Sequence, residues 1–420
     1  MSHITESYLD NAATTPTRSE AIERMNEVMR DAWGNPSSVH AVGMRAKEVL
    51  EESRATIAGA LGVEPGEVYF TSGATESNNL AVRGVCSARR DNPAKIITST
   101  LEHASVTRSV RGIRREKDWP VTYIDAIDGK LDLGQLRDAL TESPTSLITI
   151  MNVQNEVGYI LPSAEIGRMR DELAPDALYH VDATQAFGKL SPKPREWHAE
   201  LASVASHKIG GPRGIGALYV RDGVKMHTNA FGGGQERGLR SGTEPVFLAA
   251  GFVRAVELAQ AEHEETLAHV RALSAQIRAG LASLVPDAIV NSPEDASPFI
   301  VSVSVPGLRN AKSVAYLSDR GVYVSRASAC ESNHEHVAAG TWRKKHPLSL
   351  QAAGIPLSQG NTTLRVSFSG ATTPDASIAS LRRLRNAMRS LGAVNNRRPP
   401  LRSAKGRLLY LTEGVRDFLL

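Results

Sequence analysis

Apolar residues recur along this chain in short continuous runs bounded by glycine, proline and small polar residues. The runs 68–70, 95–99, 121–124, 147–153, 178–182, 201–205 and 217–220 predict seven short strands. Few of them alternate apolar with polar, so both faces of the sheet they form must be covered. Between them lie stretches of helical spacing, which predicts a largely parallel sheet wrapped by helices. Before the first strand, 8–15 reads as extended, and 17–33 and 39–61 read as amphipathic helices around the turn Gly34–Ser38. A long helical pattern without internal proline runs over 245–284. After it the alternation resumes: strand 299–305, helix 311–319, strands 322–325 and 364–368, helix 375–391. The expected organisation is a large α/β domain over 15–260 and a smaller α+β domain built from 1–14 and 261–392. A basic extension would follow over 393–420, ending in a short helix.

Composition narrows this picture without redirecting it. Of 420 residues, 41% are hydrophobic and 22% charged, ordinary for a water-exposed globular protein. No apolar run approaches the ~20 residues needed to span a bilayer, and the N-terminus carries no secretory pattern, so a cytoplasmic location is expected. Two cysteines far apart, Cys86 and Cys330, argue against a disulfide framework and for a reducing compartment. Net charge is only +4, but Arg382 to Arg407 contains nine arginines and lysines and no acid. A solvated basic tail accounts for that run, and direct nucleic-acid binding is not expected.

Candidate chemistry gathers where strands end. The run 201–205 delivers Ser206, His207 and Lys208 to a glycine-rich turn, and 26 residues upstream Asp182 closes the run 178–182. A lysine at such a turn can bind an anion or form an imine with an aldehyde cofactor. An acid on the neighbouring strand can keep a pyridine nitrogen protonated. That pairing is what a pyridoxal phosphate (PLP) site needs. Phe70–Glu76, FTSGATE, leads from a strand into a helix, and its Gly73 and Thr75 suit a phosphate at a helix N-terminus or a plain capped turn. His103 follows another strand, placed to stack on a cofactor, to move protons, or to fill a polar pocket. Gln154, Asn155 and Glu156 sit at a further strand end, suited to hydrogen-bonding a ring hydroxyl or to capping their own loop.

YLDNAATT, NPSSVH, FTSGATES, EH, QNEVG, HVDATQAFGK, SHKIGGPRGIGALYV, FGGGQERGLRSGTEP, SRASACES and LRVSFSG occur in this order. Together they resemble the cysteine desulfurases of the NifS/IscS type, a PLP-dependent branch of the class V aminotransferases, over roughly residues 8–370. The resemblance implies fold type I architecture (aspartate aminotransferase-like) with a mostly parallel seven-stranded sheet. It implies that Lys208 holds the cofactor covalently, that Asp182 pairs with the pyridine nitrogen, and that Gln185 and Asn155 lie at the ring hydroxyl. His103 would stack on the ring and help move protons. Ala74, Thr75, His207 and Ser206 would contact the phosphate, and Thr243 would reach the phosphate of the partner subunit of a homodimer. Arg365 would grip the substrate carboxylate, with Asn11 and the stretch 35–40 enclosing it. One departure is Ala205, where the family often has serine, leaving Ser206 to substitute from the adjacent position.

Cys330 narrows the reaction. It lies among small and polar residues, unlike Cys86, which reads as an inert core thiol. The resemblance makes Cys330 the nucleophile that takes sulfur from L-cysteine as a persulfide, releases L-alanine and donates the sulfur to an acceptor protein. Iron–sulfur cluster assembly, tRNA thiolation and DNA phosphorothioation are the pathways such enzymes feed. A selenocysteine lyase would share nearly every site residue, and an idle sulfur-assembly scaffold would need none of them. His334, His336 and the basic cluster 342–346 suggest a solvated loop or a docking surface for an acidic acceptor. A metal held by Cys330, His334 and His336 would tie up the nucleophile, and none is expected.

Overall fold

The structure is a computed structural model, and it describes residues 6–90, 94–127, 129–190, 192–228, 230–326 and 348–390. Cys330 and its loop, the basic cluster 342–346 and the extension 393–420 lie outside the described residues.

The strands, in chain order, are β1 (Ser7–Tyr8), β2 (Val68–Thr71), β3 (Lys95–Ser99), β4 (Val121–Ile124), β5 (Ala126–Ile127), β6 (Lys130–Leu131), β7 (Thr145–Thr149), β8 (Leu178–Asp182), β9 (Leu201–Ala205), β10 (Gly216–Val220), β11 (Ile289–Val290), β12 (Ile300–Ser304), β13 (Val322–Tyr323) and β14 (Thr363–Ser367). The helices are α1 (Ser19–Asp31), α2 (Ala41–Leu61), α3 (Ala74–Ala88), α4 (Ala104–Lys117), α5 (Leu133–Glu142), α6 (Ser163–Leu173), α7 (Val246–Ala261), α8 (His263–Leu284), α9 (Asn310–Ser318), α10 (Leu348–Ala352), α11 (Leu357–Gly360) and α12 (Pro374–Ser390).

Seven strands form one sheet in the order β2-β10-β9-β8-β7-β3-β4. Every residue of β3, β7, β9 and β10 is buried, which is why these strands read as continuous apolar runs. The sheet is parallel except for β10, which runs antiparallel to both β9 and β2. Only ten residues, 206–215, separate β9 from β10, too few for the helical crossover a parallel return requires. Apolar clusters cover the sheet on both sides: Phe70, Val204, Val181, Ile148 and Ile97 face one way, and Ile96, Leu147, Leu201 and Leu218 face the other.

The predicted helix over 245–284 is two helices. The break is at Glu262, whose backbone leaves helical values at φ −98°, ψ 7°. Arg18 takes the Glu262 carboxylate through both terminal nitrogens, at 2.6 and 2.7 Å. No glycine or proline marks the spot, and the tertiary contact that accompanies the break is not carried by the sequence pattern.

Beyond α8 a second, antiparallel sheet orders β11-β12-β14. Its own apolar cluster joins Val301, Val303, Leu364 and Phe368 to Val270, Leu273 and Ile277 of α8 and, from the other end of the chain, to Leu9. β1 pairs in parallel with β13, and the backbone N–H of Ser367 donates to the Leu9 carbonyl at 2.8 Å. The first described residues are thereby sewn onto the second sheet.

Candidate active site

Five segments of the large sheet turn at one edge. β8 ends on Asp182, and β9 runs into a single 3-10 turn, Ser206–Lys208. β2 leads through Gly73 into α3, β3 leads to His103 at the start of α4, and β7 leads into the loop 150–158. Ligands of parallel sheets bind at this C-terminal edge.

Asp182 is buried and fully engaged. Its Oδ2 accepts from Asn78 Nδ2 at 2.7 Å and its Oδ1 from the Thr184 N–H at 3.0 Å. Asn78 Nδ2 also donates to Ser105 Oγ at 2.8 Å, and that hydroxyl lies 2.8 Å from His103 Nδ1. Because the Ser105 N–H also donates to His103 Nδ1 at 3.2 Å, the neutral ring carries its proton on Nε2. Burial, helped by the charges of Lys208 and Arg108, lowers the His103 pKa against the pull of Asp182. His103 and Asp182 thus stand at two ends of one hydrogen-bonded chain. Next to His103, burial pushes the Glu102 carboxyl up to about 8, against hydrogen bonds from Ser99 and the Met151 N–H and with Asp182 adding to the rise.

Lys208 Nζ donates to the carbonyls of Ala12 and Ala13 at 2.7 and 2.8 Å. Gln185 Nε2 donates to the same Ala12 carbonyl at 2.9 Å. His207 contacts Thr14 Oγ1 through Nδ1 at 3.2 Å, and burial with the charges of Lys208, Lys189 and Arg213 pushes its pKa down to about 4. The chain packs tightly beneath this turn. A Cβ on Gly211 would meet Ser206 Oγ at 2.0 Å, and one on Gly216 would meet Gly73 Cα at 2.8 Å. Ser206 Oγ is buried and without a hydrogen-bond partner.

α3 begins at Ala74 with Gly73 as its N-cap, at φ 144°, where an L side chain is strained. No side chain caps this terminus, and Thr75 is exposed there. Glu76 is turned aside, accepting from the Ser72 N–H and from Arg240 Nε.

The second sheet completes the site. Arg365 of β14 is 2% exposed; its Nη2 donates to Asp10 Oδ1 at 2.8 Å and its Nη1 to the Asn155 carbonyl at 2.8 Å. Its Nε is buried and unpartnered, as is Asn11 Oδ1, while Asn11 Nδ2 donates to the Ser367 carbonyl at 3.0 Å.

The structure therefore brings together Asn11, His103, Asn155, Asp182, Gln185, His207, Lys208 and Arg365 at one edge, with Ser206 beneath. Ala74 and Thr75 lie on the adjoining α3 terminus. Thr243 is exposed in the segment 231–243, and His40 serves as N-cap of α2 by accepting from the Gly43 N–H. Gln154 is a loop cap, its Oε1 accepting from the N–H groups of Glu156 and Val157. Sequence reasoning assigned no role to Asp10, Asn78 or Lys189. Asp10 and Lys189 stand inside quoted motifs, whereas Asn78 had only its place one helical turn beyond Ala74 as a signal.

The residues present fit PLP. A lysine and a carboxylate stand at the ends of adjacent strands, an uncapped helix terminus adjoins them, and buried polar atoms at Ser206, Asn11 and Arg365 lack partners. The chain is thereby placed among fold type I enzymes. It belongs to the class V aminotransferase family, whose sequence profile matches residues 7–376. Its relatives lie among the cysteine desulfurases of the NifS/IscS type, such as the cysteine desulfurase IscS of Methanosarcina thermophila. That protein is 35% identical over 369 residues, covering 88% of each chain. Among solved structures, a NifS-like protein superposes with a TM-score of 0.84 at 32% identity, covering 92% of this chain and all of that one. SspA in complex with cysteine superposes at 0.72 and 30% identity, covering 87% of this chain and all of that one.

Proposed function

We propose that the protein is a PLP-dependent cysteine desulfurase that converts L-cysteine to L-alanine and passes the sulfur to an acceptor protein. The observation that carries this reading is the placement of Asp182 and Lys208 at the ends of adjacent strands, with Arg365 delivered from the second sheet. A cofactor-holding pair and a carboxylate-gripping fork then stand at one edge of the large sheet, joined through residues 10–13.

Lys208 would hold the aldehyde carbon, Asp182 the pyridine nitrogen, His103 the ring face, and Gln185 with Asn155 the ring hydroxyl. Ala74, Thr75, Ser206 and His207 would hold the phosphate. PLP supplies an electron sink at the substrate carbons. The other tasks fall to the chain. Arg365 binds the substrate carboxylate as a planar fork, with Asn11 beside it. Lys208, freed from Ala12 and Ala13, moves a proton at the substrate, and His103 offers or takes one at Nε2. Cys330, as thiolate, attacks the substrate sulfur. The carbon–sulfur bond breaks, its electron pair ends as a C–H bond of alanine, and Cys330 retains the sulfur as a persulfide. One cysteine and one protein thiol give one alanine and one persulfide, so no outside oxidant is required.

A homodimer is part of this reading, with Thr243 reaching the partner subunit's phosphate. Support comes from large apolar side chains facing solvent: Trp33 (71% exposed) and Val39 (94%) in the α1–α2 turn, and Phe231 (92%) in the loop that carries Thr243. The domain division at residue 260 and a docking role for the Cys330 loop also belong to it. No helix of the described residues is long and apolar enough to cross a membrane.

The test is purified protein given L-cysteine and a reductant. Expected are a visible absorption band that shifts, alanine and sulfide in equal amounts, and, in Cys330→Ala, the band without sulfide. Sulfide at the wild-type rate from Cys330→Ala would remove that thiol from the reaction. A colourless protein even after PLP is supplied would sink the reading.

A further inference from the structure

Lys189 closes the turn after β8, and it is buried although nothing in the proposed chemistry uses it. Its Nζ donates to Gln185 Oε1 at 3.1 Å and lies 5.7 Å from the centroid of the Phe299 ring, just before β12. Among the described residues no carboxylate stands within ion-pair distance of it. Burial, with the charges of Lys208 and Arg365, pushes its pKa down to about 7. An amine buried without an anion is costly, and an apolar side chain of similar length would avoid that cost.

Its contact supplies the reason for keeping it. The Gln185 amide has a donor end and an acceptor end, and nothing in its own shape decides which way round it sits. Lys189 offers a donor to Oε1. Nε2 is left toward the Ala12 carbonyl, the oxygen that Lys208 also uses. The two lysines are thus joined through one amide and one carbonyl.

We propose that Lys189 is a positioning residue that fixes the Gln185 amide with its donor end toward Lys208 and the cofactor ring. The inference rests on the PLP reading above. Gln185 then meets the ring hydroxyl with a donor, the polarity that a ring oxygen carrying negative charge requires. Without Lys189, the buried Oε1 is left unsatisfied, and because turning over would set it against the Ala12 carbonyl, the amide withdraws.

The experiment compares PLP-loaded wild type with Lys189→Met and Lys189→Arg. Lys189→Met is expected to retain PLP, with its visible band displaced and kcat down on the order of tenfold at nearly unchanged KM. Lys189→Arg, which keeps a donor and a charge, is expected to move the band back toward wild type. A Lys189→Met protein that holds PLP with an unmoved band overturns the proposal, whatever its stability. A folded variant that no longer binds PLP overturns it too, because the lysine would then serve binding instead of amide orientation. If Lys189→Met does not accumulate, Lys189→Leu is read in the same way. A colourless wild type removes the cofactor reading itself, whereas a yellow wild type with an indifferent variant removes only this inference.

Discussion

On the large-sheet side of the site, Asp182, Lys208 and His103 each lie within four residues of the strand that delivers them. On the second-sheet side, Arg365 stands mid-strand in β14, and its guanidinium is received by Asp10 and Asn155, 355 and 210 residues away. The first wall is fixed by strand ends and backbone turns. The second is fixed by contacts between distant parts of the chain. Chemistry that holds the cofactor sits on the locally determined wall, and the grip on the substrate sits on the assembled one. Damage to the two walls should therefore read out differently, as lost chemistry on one and weakened binding on the other.

The sharpest way to break that contrast is Lys208→Ala. It should cost roughly 10³-fold or more in kcat and abolish the wild-type visible band, since attachment and proton transfer are lost together. A wild-type spectrum would dissolve the distinction. Arg365→Lys tests the other wall. It keeps the charge opposite Asp10 but loses the fork, so KM should rise roughly thirtyfold, about 2 kcal/mol, with kcat within a few-fold. A fall in kcat at constant KM would place Arg365 on the chemical wall instead.

The smallest expected effect lies in stability. Glu102 is held protonated by burial, with a folded pKa near 8 against the lower unfolded value. The folded state therefore binds more protons between those two values, and this residue makes stability fall as pH rises through that window. Glu102→Gln should gain in Tm over wild type as pH climbs from about 4 to about 8, with the difference constant above that. A gap that does not change with pH would mean the carboxyl is ionised throughout.

The same contrast governs how much the sequence reveals. Seven apolar runs between helical stretches predict the seven-stranded sheet, and Asp182 and Lys208 are readable because each closes such a run. Asp10 and Lys189 stood in plain view within motifs, but a role that consists of touching Arg365 or Gln185 appears only when distant segments meet. The break at Glu262 has the same origin. Its helical pattern is uninterrupted, and the partner that meets it at the break, Arg18, lies 244 residues away. Gln154, expected at a strand end, lies five residues past the end of β7 and spends its side-chain carbonyl on the N–H groups of its own loop.

The Ala12 backbone N–H donates to Ser367 Oγ at 2.9 Å, and its carbonyl receives Lys208 and Gln185. During synthesis, residue 12 leaves the ribosome tens of seconds before residue 367, at about 5–20 residues per second. The large sheet has all its strands long before then. The opening dozen residues can take their full set of contacts only when the last strand of the second sheet arrives. A fragment that stops short of Ser367 keeps the lysine and loses the anchor that seats its neighbour. The order of manufacture thus makes closing this pocket a late act of building the enzyme.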